Sequence, residues 1–106
     1  EADEQRKHLV VRTELCRTLA GNRVDLLTIT QASPEQRSQE QPKPSILLSA
    51  RVHPGETQAS WMMSGTIKFL TSDLPEARLL RERFVIYVVP MLNPDGVIHG
   101  HYRCSL

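Results

Sequence analysis

Apolar residues fall along this 106-residue chain in more than one rhythm. In ELCRTLAGNRVDLLTIT (14–30), Leu15, Arg17 and Leu19 alternate with Cys16 and Thr18. Beyond the break at AGN, Val24, Leu26 and Thr28 share one face while Leu27 and Ile29 lie nearer the other. Two-residue alternation around a Gly-Asn break predicts a β-hairpin centred on Gly21 and Asn22. Residues 1–19 also have the propensity for a short helix. SILLSARV (45–52) is continuously apolar in its first half, as in a strand buried on both faces, and FVIYVVPML (84–92) reads as a second central strand. Between them, Trp61, Met62, Gly65, Phe69 and Leu70 recur near the helical period, and Met63 and Ile67 widen the stripe. That pattern predicts a heavily buried helix with Thr57 and Ser60 in its first turn. DLPEARLLRER (73–83) predicts a shorter helix capped by Asp73, with Glu76 three residues on, presenting Leu79 and Leu80.

Strand, helix and strand in succession imply a crossover connection and an α/β fold with a mixed, partly parallel sheet flanked by helices. In such sheets ligands gather beyond the carboxyl ends of the strands. Two polar clusters, HPGE (53–56) and NPDG (93–96), follow the two apolar runs directly. If the strands are parallel neighbours, the clusters share one rim. QASPEQRSQEQPKP (31–44) has three prolines and no aliphatic residue larger than alanine, so it reads as a surface loop within one unit and not as a domain boundary.

Composition narrows the choice of function. Thirteen Lys and Arg against 12 Asp and Glu leave no surplus charge to attract nucleic acid or an anionic membrane. Function must therefore come from a site. The aromatic residues are few (Trp61, Phe69, Phe84, Tyr87 and Tyr102), so the core is expected to be aliphatic. Cys16 and Cys104 are far apart and show no CxxC spacing, which favours a reducing compartment over a disulfide framework. The longest apolar run is about half of the roughly 20 residues a membrane helix needs, and the first eight residues are polar, so a soluble, intracellular protein is expected.

HPGE carries the candidate chemistry. Zinc takes nitrogen from neutral His and oxygen from Glu, and a catalytic site keeps a position open for water. His53 and Glu56 can reach one ion if the chain turns between them; Pro54 fixes its own φ and Gly55 permits a conformation closed to other residues. Glu56 can equally be an acid placed in the first helical turn by the helix dipole. In NPDG each residue has a conformational reason: Asn93 and Asp95 cap, Pro94 presets φ, and Gly96 is expected at positive φ. Its role is read as structural. Arg103 is a fixed cation that could polarise a carbonyl at the rim, or a solvated surface arginine. His99 and His101 would point the same way on a strand, but Gly100 between them and the lack of a further ligand favour a loop lining the site. His8 reads as a surface residue.

Together ARVHPGETQASW, VVPMLNPDGV and GHYRCSL resemble the zinc metallocarboxypeptidases, and specifically their cytosolic carboxypeptidase branch; CRTLAGNRVDLLTIT resembles that branch too. The resemblance runs from about residue 14 to Leu106. It implies a carboxypeptidase-like α/β/α fold, incomplete over residues 1–106, which would be the N-terminal portion of a catalytic domain. It also implies His53 and Glu56 as two of three zinc ligands and Arg103 as the residue that polarises the scissile carbonyl. The third ligand, the general base and the groups that grip the substrate carboxylate would follow Leu106, so residues 1–106 are expected to be inactive by themselves. Members of this branch remove glutamates from polyglutamylated proteins, tubulin above all, which implies polyglutamylated tails as partners and a cytoplasmic location. Two other readings compete: a non-catalytic α/β interaction module, and an amidohydrolase-like zinc enzyme acting on N-acyl amino acids.

Overall fold

A computed structural model describes residues 7–31 and 43–103. After a 3-10 turn at Lys7–Leu9 come strands β1 (Val10–Arg17), β2 (Arg23–Ile29) and β3 (Ser45–Ser49). Helices α1 (Gln58–Leu70) and α2 (Pro75–Arg83) lead to strand β4 (Val85–Val89), and a short helix α3 (Pro94–His99) follows. The strands form one mixed sheet in the order β1-β2-β4-β3, antiparallel except for the parallel pair β3–β4. The α/β architecture is therefore the one expected.

Register explains the core. Ile29 and Ile46 both lie beside Ile86, and Leu27 and Leu48 both lie beside Val88, so two apolar rows cross the sheet on one face. Ile29, Ile86 and Val88 are fully buried, and Met63 and Leu70 of α1 close over them with Ile67, Leu80 and Phe84 around the margin. No aromatic residue is fully buried, in keeping with an aliphatic interior.

The hairpin forms where the alternation places it, with Gly21 at φ 83. Several details differ. Strand β1 begins at Val10, so the helical propensity of the opening gives way to pairing with β2, and a bulge at Leu15 breaks the alternation there. Strand β3 is not buried on both faces: it pairs with β4 along one edge only among the described residues, and Leu47 is 68% exposed. Helix α1 is not heavily buried either. Among the described residues Met63 and Leu70 are buried, whereas Trp61 and Met62 are 79% and 72% exposed.

Helix α2 starts one residue later than the Asp73 cap would place it. Leu74 is the N-cap and Pro75 occupies the first turn, where its missing N–H costs nothing. Leu80 packs against the core, but Leu79 is 47% exposed. The buried side chain beyond it is Arg81, whose Nη1 donates to the carbonyls of Leu70 (2.6 Å) and Ser72 (2.8 Å), tying the end of α1 to α2. Residues 32–42 of the expected surface loop, and Cys104, lie outside the described residues. Cys16 is free and exposed. Among the described residues no helix is long and apolar enough to cross a membrane.

Candidate metal site at the ends of two parallel strands

Pairing between β3 and β4 continues past both strands. The Ala50 amide donates to Val89 O (3.1 Å) and the Leu92 amide to Ala50 O (2.9 Å), after which Asn93 Nδ2 donates to Val52 O (3.1 Å). HPGE and NPDG thus meet at one rim, as parallel neighbours should.

Within HPGE the Glu56 amide donates to His53 O (3.1 Å), which closes a four-residue turn with Pro54 at its second position. The turn brings His53 Nδ1 and Glu56 Oε1 to 3.2 Å. Two ligands held about 2.0–2.2 Å from a tetrahedral ion would stand about 3.4 Å apart. The two side chains are in direct hydrogen-bond contact at this spacing, which is also close to the separation of two ligands on one ion. Among the described residues no cluster of three or more His, Cys, Asp or Glu could hold a metal, so the pair is an incomplete ligand set.

Gly55 is required for a reason other than the expected one. Its φ is not positive; instead, a Cβ built on it would run into the Tyr102 ring, and its amide donates to Tyr102 O at 2.7 Å. A side chain here would have to push the Tyr102 ring aside. The backbone conformation that most L residues avoid belongs to Arg51, at φ 61. Arg51 Nε donates to Pro54 O (2.9 Å) and Nη1 to Ser60 Oγ (2.7 Å). Neither contact was foreseen; the one signal is a charged residue set between an apolar strand and the His.

Arg103 stands beside the same carboxylate, with Nη2 3.9 Å from Glu56 Oε1 and its guanidinium 5.8 Å from the Tyr102 ring centroid. Its side chain is 66% exposed, so the ion pair adds little stability, and the group is open to a bound molecule.

NPDG opens a helix. Asn93 Oδ1 accepts from the Gly96 amide (3.0 Å) as N-cap of α3, and Gly96 lies inside that helix without positive φ. The left-handed residue is Gly100, at φ 75, which caps the other end. Asp95 is buried and accepts from Thr18 Oγ1, from Asn22 Nδ2 (2.8 Å) and from the Ala20 amide (3.2 Å), so it fastens the β1–β2 turn to the rim. The Thr18 hydroxyl, followed by the Asn22 and Ala20 donors, holds its carboxyl below the ordinary aspartate range, against an opposing push from burial. The motif is structural, as read, but only Asn93 caps: Asp95 holds the β1–β2 turn instead, and Gly96 is helical. His99 closes α3 and stacks on His101, with centroids 5.8 Å apart and planes 23° apart. His8 is exposed.

Comparison with known proteins gives a consistent answer. A family model described as zinc carboxypeptidase matches residues 1–106. Cytosolic carboxypeptidase 2 of Homo sapiens is 60% identical over 93 residues, 87% of this chain and 10% of that protein. The Xenopus tropicalis protein of the same name is 53% identical over 105 residues, 99% of this chain and 11% of that one. A metallo-carboxypeptidase from Burkholderia cenocepacia superposes with a TM-score of 0.81 at 32% identity, covering 98% of this chain and 28% of that chain. The chain thus spans about a tenth of the length of these curated relatives.

Proposed function

The chain belongs to the zinc carboxypeptidase family, and from that premise we propose that it forms the first part of a catalytic domain that hydrolyses peptide bonds at carboxyl termini. The observation that carries this reading is the facing of His53 Nδ1 and Glu56 Oε1 at 3.2 Å, with Arg103 beside the same carboxylate. His53 and Glu56 are two of the zinc ligands. When bound, zinc supplies Lewis acidity that activates water and polarises a carbonyl. Arg103 offers a fixed positive charge to the oxygen of the scissile carbonyl and steadies the negative charge that develops there.

The substrates in this reading are C-terminal or branch-linked glutamates on polyglutamylated proteins, tubulin included, and the protein works in the cytoplasm. Support comes from the similarity to proteins named cytosolic carboxypeptidases, at 53% to 60% identity. The test is glutamate release from polyglutamylated tubulin and from a synthetic polyglutamate-tailed peptide by the full-length protein. Release that requires zinc and disappears in Glu56→Ala supports the reading. A zinc-loaded full-length protein that releases no C-terminal residue from either substrate overturns it.

A further inference from the structure

We propose that Arg51 is a positioning residue that presets the metal-binding turn, an inference that rests on the zinc reading of His53 and Glu56. Among the described residues it is the one non-glycine position with positive φ, and it lies two residues before His53. Paired backbone ends immediately upstream, where Ala50 donates to Val89 O and accepts from Leu92 N. The reversal at Arg51 therefore turns the chain off a fixed strand and into the His53–Glu56 turn.

The side chain then locks what the backbone begins. The guanidinium reaches over the turn to Pro54 O at 2.9 Å on one arm and to Ser60 Oγ at 2.7 Å on the other. Pro54 O lies between the two candidate ligands in sequence, and Ser60 lies in the first turn of α1, just after Glu56. One rigid, planar group thus ties the middle of the turn to the helix that follows it. A lysine keeps the charge but offers a single ammonium in place of a fork. A glycine relaxes the backbone but removes the fork altogether. These two replacements separate the parts played by backbone and side chain.

The experiment measures zinc affinity of the full-length protein by chelator competition, with the melting temperature of the zinc-free form recorded alongside. Partners that orient metal ligands typically contribute roughly ten- to a hundredfold in affinity. Arg51→Gly is expected to weaken zinc binding by that order while the zinc-free melting temperature changes little, and Arg51→Lys to fall between it and the unsubstituted protein. If Arg51→Gly does not fold, Arg51→Lys decides, and affinity within twofold of the unsubstituted protein overturns the proposal. Equal affinity in a folded Arg51→Gly overturns it as well. An unsubstituted protein that binds no zinc removes the metal reading itself, and this inference with it. Zinc bound normally but lost in His53→Ala keeps that reading whatever Arg51 does.

Discussion

The amide of Gly55 donates to the carbonyl of Tyr102 at 2.7 Å, so the first polar cluster is docked on the chain that carries Arg103. The Tyr102 ring fills the space a side chain at Gly55 would take, with three ring carbons within 2.9 Å of a built Cβ. Gly55→Ala is therefore expected to displace Tyr102, destabilise the full-length protein by about 1–3 kcal/mol and lower turnover. Adding Tyr102→Ala should recover stability without recovering turnover. Denaturant melts of the two single variants and the double variant measure the coupling; strict additivity would show that the contact is unimportant.

Arg103 is predicted to matter to turnover and not to metal. Arg103→Ala should lower kcat by about 10²–10³, the loss typical of removing one donor to a developing oxyanion, with zinc stoichiometry unchanged. Arg103→Lys should recover only part of it, because an ammonium cannot reproduce the planar fork. Steady-state kinetics and metal analysis on the same preparations give both numbers.

Asp95 links stability to pH. Its carboxyl is held below the ordinary value in the folded protein, so its contribution is present above the unfolded pKa of about 3.9 and is lost as pH falls through the folded value. Asp95→Asn should melt at lower temperature than the unsubstituted protein at pH 7. The gap should begin to narrow below about pH 4, where the unfolded chain takes up the proton, and close as pH falls through the lower folded value. Asp25, also lowered, chiefly by its hydrogen bond from Arg12, is common to both proteins and cancels in the difference. Thermal melts across pH 3–7 test this, and a gap independent of pH would refute it.

Ile86 lies at the crossing of the sheet rows and is 1% exposed, between Ile29 and Ile46 in register. Ile86→Ala should cost about 2–5 kcal/mol and Ile86→Val about 0.5–1.5 kcal/mol, measured by denaturant unfolding.

Much of this was legible in the residues because each rule involved is local. Gly21 and Asn22 mark a turn by their own backbone preferences, and the parallel pairing of β3 with β4 follows from a helix lying between two apolar runs. HPGE and NPDG meet because both end such strands. What was missed depends on neighbours remote in sequence. Among the described residues Leu47, Trp61 and Met62 are exposed, and periodicity alone does not say what covers an apolar face. Gly55 looked like a conformational glycine, yet Tyr102, 47 positions later, is the reason for it. The capping of α3 by Asn93 was foreseen as a turn because a turn and the first turn of a helix use the same residues.

Asn93 donates to the carbonyl of Val52 across a separation of 41 residues, and that distance has a consequence in time. During synthesis at about 5–20 residues per second, His53 and Glu56 leave the ribosome roughly 2–8 s before the segment that completes their rim. Until β4 slots between β2 and β3, the nascent HPGE segment has no rim to belong to. The cell therefore makes these two polar clusters in sequence, and β4, the last of the four described strands to arrive, joins them.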